Sequence, residues 1–197
     1  MKMAKKFLAV ALAGVLALSV LTGCGASVKS KDIADALTKM GVKVEQDKDM
    51  DKTAEETLAV IEAMVNAPDN AAKPDTDADK IKLSNAVVAA DGKVIKTKNI
   101  TDTTNKVQKA LGVFANGNDA EKANAGKQVR VALVKTENAK KDASLQAAFV
   151  KDALVQAQEG DTTDNKKPVE PGKLGTATTK DGKYMLVVIV NEMKADA

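Results

Sequence analysis

The chain of 197 residues has no histidine, no tryptophan and a single cysteine, Cys24. Each absence closes off chemistry. Without histidine there is no Ser-His or Cys-His dyad and no zinc site with an imidazole ligand. One cysteine makes no internal disulfide, so the fold must hold by packing alone. Aromatics are three Phe and one Tyr, and only Phe114, Phe149 and Tyr184 lie beyond Cys24. The core must therefore come from Ala, Val, Leu, Ile and Met. So few aromatic faces also make a poor sugar cleft for a carboxylate-pair hydrolase. No G-x-G-x-x-G and no P-loop lysine motif occurs. None of Ser27, Ser30, Ser84 and Ser144 opens an S-x-x-K motif. A non-catalytic protein without a cofactor is the expectation.

The first residues are MKMAKKFLAVALAGVLALSVLTGC. Lys2, Lys5 and Lys6 precede an uncharged apolar run from Phe7 to Leu21. That run is shorter than the ~20 residues a spanning helix needs. A charged start, a short apolar segment and a small-residue end are the marks of a secretory signal peptide. The end here is Leu21-Thr22-Gly23-Cys24.

These residues resemble the bacterial lipoprotein lipobox: Leu, a small residue, Gly or Ala, then Cys. The resemblance implies that residues 1–23 are cleaved and that Cys24 carries a diacylglyceryl group. Two acyl chains on one residue anchor stably, because each buried CH₂ adds about 0.8 kcal/mol. Gly25 follows the cysteine in place of the Asp of an inner-membrane retention signal. The implied protein faces outside the cytoplasm on the cell membrane. Residues 24–30 are then a short polar spacer, and 31–197 a single domain, with candidate halves 31–100 and 101–197.

Cleavage also changes the charge. The formal +3 rests entirely on Lys2, Lys5 and Lys6, so the processed chain is neutral. A neutral chain argues against nucleic-acid binding, which relies on neutralising phosphates with a basic surface.

The pattern predicts an α+β fold with a mainly antiparallel sheet, two Asp-Gly hairpins and about four amphipathic helices. Ser30 to Met40 reads as a helix with Ile33, Leu37 and Met40 on one face and Gly41 as its stop. GVKVEQD is a short strand. TAEETLAVIEAMVN is the strongest helix, with Thr53 and Glu56 as a capping box and Leu58, Ile61, Met64 and Val65 inward. Residues 67–79 are a polar loop, followed by a hairpin turning at Asp91-Gly92. TDTTNKVQKALGVF is a helix using Val107, Ala110, Leu111 and Phe114. QVRVALVK is a strand with Val129, Val131 and Leu133 on one face. ASLQAAFVKDALVQAQ is a helix capped by Asp142 and using Leu145, Phe149 and Ala153. A second polar loop precedes a hairpin turning at Asp181-Gly182, and Met185 to Val190, apolar on both faces, reads as a central strand.

Two arrangements fit this order. The similar pieces KLSNAVVAADGKVI and KLGTATTKDGKYML suggest a duplicated αβαββ unit. The other is an α/β/α sandwich. MGVKVEQDKDMDKTAEETLAVIEA, KTENAKKDASLQAAFVKDAL and KLGTATTKDGKYMLVVIV resemble segments of the CAP superfamily, the cysteine-rich secretory and pathogenesis-related domain. That family's site uses two His and two Glu. Only Glu137 matches, so the resemblance implies a degenerate domain that binds a partner or lipid.

Carboxylates are the remaining candidates. Asp47, Asp49 and Asp51, and again Asp75, Asp77 and Asp79, occupy alternate positions as at the start of a calcium loop. The loop's sixth residue should be Gly and its twelfth Glu. Here they are Lys52 and Leu58 in the first run, Lys80 and Ala86 in the second. Solvated loops and helix N-terminal charge are the better account, with a weak calcium site in either run as the alternative. The expected function is a lipid-anchored envelope protein with a binding or structural role. The alternatives are a ligand-capture lipoprotein feeding a transporter, which needs two lobes, and the degenerate CAP-like domain.

Overall fold

The computed structural model describes residues 28–65, 106–113, 124, 126–160, 162 and 165–195. Within them, helix α1 (Ser30–Lys39) comes first. Asp32 in its first turn accepts the Lys29 N–H at 3.1 Å, placing negative charge at the positive helix end. Ile33 and Leu37 are fully buried. Gly41, at φ +88°, ends the helix as expected. The Gly41 and Val42 N–H groups then donate to Thr38 O at 3.0 Å and Leu37 O at 2.9 Å.

Strand β1 (Val44–Gln46) leads into helix α2 (Lys48–Val65). The capping box expected at Thr53 and Glu56 is not the start of this helix. Asp47 is the cap, and its Oδ1 accepts the N–H groups of Asp49 at 2.9 Å and Met50 at 3.1 Å. The Thr53 hydroxyl instead donates back to Asp49 O within the helix. The inward stripe is nonetheless Leu58, Ile61 and Val65, extended by Ala54 and Thr57, with Met64 partly buried.

Helix α3 (Lys106–Leu111) buries Val107 and Leu111, and Gly112 at φ +64° follows it. The expected helix residues 101–105 and Phe114 lie outside the described residues, as does the Asp91-Gly92 hairpin. Strand β2 (Gln128–Lys135) and helix α4 (Ala143–Ala153) follow. The Asp142 cap is as expected, its carboxylate accepting the Leu145 N–H at 2.9 Å.

Two expectations about α4 are corrected. The helix does not run on through VQAQ, because Leu154 takes an extended conformation (ψ 124°) and Val155–Gln158 becomes strand β3 on the edge of β2. Leu145 does not face inward either. The buried stripe is Gln146, Ala147 and Val150, with Phe149 and Ala153 partly buried, and Leu145 is 40% exposed.

The expected second polar loop contains strand β4 (Lys167–Pro168). It pairs with β7 (Met193–Lys194) apart from the main sheet. Strands β5 (Gly172–Thr178) and β6 (Tyr184–Asn191) form the expected hairpin, with Gly182 at φ +69° in its turn. The main sheet has five strands in the order β1-β5-β6-β2-β3. Only the β1–β5 pair is parallel. β1, from the first candidate half, thus sits in one sheet with strands of the second.

β6 is the central strand, covered on both faces as its composition predicts. Met185, Val187 and Ile189 pack with Ile33 and Leu37 of α1 and Ala147 and Val150 of α4. Leu186, Val188 and Val190 pack with Leu58 and Ile61 of α2 and Val107 and Leu111 of α3. The result is an α/β/α sandwich within the α+β class. At roughly 1.5–3 kcal/mol per buried aliphatic side chain, these two cores supply the main stabilisation.

One close approach joins the layers. A Cβ on Gly175 would lie 1.9 Å from the Met50 carbonyl carbon, so only glycine lets the first turn of α2 rest on β5. Beside it, Asp51 Oδ1 accepts the Thr176 N–H at 3.0 Å, satisfying a strand donor beyond the end of β1.

Gly175→Ala is therefore expected to destabilise by more than ~4 kcal/mol or prevent folding, because the clash is with backbone. Gly41→Ala, which meets no neighbour but sits at positive φ, should cost about 1–2 kcal/mol. Urea unfolding of both variants measures the difference.

Candidate functional site

Cys24, Asp75, Asp77 and Asp79 lie outside the described residues. Asp47, Asp49 and Asp51 lie within them, and they do not converge on a common point. Asp49 and Asp51 belong to α2, where residues two apart diverge by roughly 200° around the axis. Asp47 and Asp51 are also engaged by protein donors. Asp47 caps α2 and its other oxygen pairs with Lys173 Nζ at 3.5 Å. Asp51 uses one oxygen for Thr176 N–H and the other for the Gln46 side-chain amide at 2.5 Å. Among the described residues, no group of three or more His, Cys, Asp or Glu is arranged to hold a metal ion.

The Asp47 carboxyl shows this use electrostatically. Partial burial works to raise its pKa. The N–H donors of Met50 and Asp49 and the Lys173 ammonium outweigh burial and hold it below the ordinary carboxylate value.

Glu137, the one match to the CAP-family site, follows β2 and pairs with Lys135 Nζ at 2.9 Å. The hydrogen bond and charge of Lys135 lower its pKa, and Lys183 and Lys140 add to the effect. Its surroundings are lysines, which suits a solvated ion pair.

Arg130 is the chain's only arginine, and composition offers no reason to single it out beyond that rarity. It lies partly buried on β2. One of its terminal nitrogens donates to Asn191 Oδ1 at 3.2 Å, while the Asn191 amide donates to Val169 O at 2.8 Å. Its Nε is buried with no partner among the described residues. Burial lowers its pKa from the usual value, and the Glu170 carboxylate partly offsets this. A planar fork bridging β2 and β6 accounts for arginine over lysine here.

Among the described residues, a feature with room for a partner is an open groove of about 580 Å³ between α1 and the start of α4. Val28, Lys29, Asp32, Lys39, Lys141 and Ser144 line it. Val28 stands four positions after Cys24 in the sequence and is the first described residue, so the groove opens where the described chain begins. Sequence periodicity marks the inward faces of the two helices but cannot show that their outer sides adjoin. Beside the groove, Lys140 Nζ donates to Asp181 O at 3.2 Å, bringing the 139–142 turn against the β5–β6 hairpin. In that hairpin Asp181 accepts the Thr179 hydroxyl at 2.7 Å and the Lys183 N–H at 3.0 Å.

Asp51→Ala should destabilise by about 1–3 kcal/mol, since it leaves the Thr176 donor without its acceptor. The depressed Asp47 pKa adds stability that is present above the unfolded carboxylate value, about 3.9, and is lost as pH falls through the lower folded value. Asp47→Asn keeps a capping acceptor without a titrating charge. Thermal melts from pH 5 down to about pH 2 should thus show a shallower acid loss for this variant than for the native chain.

The chain matches no protein-family model, no curated protein and no solved structure. Any function assigned to it must come from its own residues and geometry.

Proposed function

We propose that this chain is a lipid-anchored protein of the bacterial cell envelope with a non-catalytic binding or structural role. The observation that carries this is Leu21-Thr22-Gly23-Cys24 at the end of a lysine-led apolar segment. The diacylglyceryl group on Cys24 holds the protein to the membrane, facing outside the cytoplasm. The absence of histidine from the whole sequence supports a role without histidine-based acid–base or nucleophilic catalysis.

Of the narrower readings, a degenerate CAP-like domain that binds a partner or lipid has one observation in its favour. The described residues form a single three-layer sandwich around one main sheet, whereas ligand capture for a transporter calls for a cleft between two lobes. The groove between α1 and α4 lies on the outer surface of one layer.

Radioactive palmitate supplied to cells producing the intact chain should label it, and Cys24→Ala should abolish the label. A Cys24→Ala protein that still incorporates palmitate defeats the anchor assignment.

A further inference from the structure

We infer that the end of the domain formed by the start of α1, the 139–142 turn and the β5–β6 hairpin docks on the anionic headgroups of the bilayer that holds Cys24. This inference rests on the anchor proposed above and adds an orientation to it.

The first support is reach. Three residues separate Val28 from Cys24, and the four steps of chain span at most ~14 Å even when fully extended. With Cys24 acylated, its backbone sits at the headgroup boundary, and Val28 at the mouth of the groove cannot stand far from it. Ser30, two residues on, is fixed to the sheet by its hydroxyl contact with Thr176 Oγ1 at 2.7 Å. Little slack remains for the domain to turn this end away from the membrane.

The second support is charge. Lys29, Lys31, Lys140, Lys141, Lys180 and Lys183 are all exposed at this end. Lys31 is paired with Asp35 at 2.6 Å, and Lys183 with Asp181 at 3.7 Å. Lys29, Lys140, Lys141 and Lys180 make no ion pair with a described residue. Opposing acids are present: Asp32 and Asp142 each accept a helix N–H, those of Lys29 and Leu145, Glu137 pairs with Lys135, and Glu62 of α2 lies near Lys180 and Asp181. Unpaired lysines close to an anionic bilayer surface are attracted within a Debye length. Leu145, exposed beside Ser144 at the start of α4, offers an apolar contact at the same level.

The native chain's single cysteine is consumed by acylation, so an introduced cysteine can be labelled cleanly. Acylated full-length Ser144→Cys and Glu159→Cys proteins would carry a fluorophore in vesicles containing phosphatidylglycerol and headgroup spin labels. Ser144 lies at the docking end, and exposed Glu159 follows β3 beside Val129 and Val190, at the end of the sheet opposite the β5–β6 turn. Quenching at position 144 should be several-fold stronger than at position 159. That excess should shrink when Lys29, Lys140 and Lys141 are changed to Glu. It should also shrink for the unaltered lysines when phosphatidylcholine replaces phosphatidylglycerol, an arm that leaves all the lysines in place. Equal quenching at both positions, or an excess that ignores both the lysines and the lipid charge, overturns the docking. Mass spectrometry of the same samples separates the two ideas: diacylglyceryl-Cys24 with equal quenching defeats docking alone, and an unmodified Cys24 defeats both.

Discussion

Strand β6 is the constraint on which the rest of the structure depends. It carries Met185, Val187 and Ile189 toward one pair of helices and Leu186, Val188 and Val190 toward the other. A strand alternates its side chains between faces, so an apolar run without interruption demands cover on both sides. β6 also pairs with β2 over its whole length and with β5 over most of it. Shifting it by one residue would exchange the contents of the two cores. The layered fold is the solution that buries this strand.

The polar groups follow from that arrangement. The sheet leaves part of β5 without a strand neighbour beyond β1, and the first turn of α2 fills the gap. Gly175 permits the approach and Asp51 supplies an acceptor where a strand would have supplied a carbonyl. Carboxylates with the spacing of an ion-binding loop thus serve as a helix cap and a strand partner. Arg130, Asn191 and Val169 form a similar repair at the far end of the sheet.

These facts bear on function through position. α1 is the first described element, starting six positions after Cys24, and its hydroxyl contact through Ser30 to β5 joins it to the body of the domain. On the proposed anchor, a short spacer followed by a fixed helix is a poor flexible arm and a good way of setting which side of a domain meets a surface. The groove between α1 and α4 and the lysines around it occupy that side.

The sequence by itself determined the class of fold, the central place of Met185 to Val190 and the turn at Asp181-Gly182, and it holds the motif behind the proposed anchor at Cys24 and the charge balance that the proposed cleavage would leave. Each is written in local pattern: a motif, a charge count, an alternation or a glycine at positive φ. The start of α2 departs from the capping box at Thr53 and Glu56 because that box is a local signal, and Asp47, nearer the sheet, accepts two helix N–H groups first. The end of α4 departs from its pattern because VQAQ has no strong periodicity of its own and becomes a strand only beside β2. Tertiary structure alone decided that β1 runs parallel to β5, that Gly175 must lack a side chain, and that Lys29 and Lys141 share a groove. Those are contacts between residues far apart in the chain, where spacing carries no information and only packing decides.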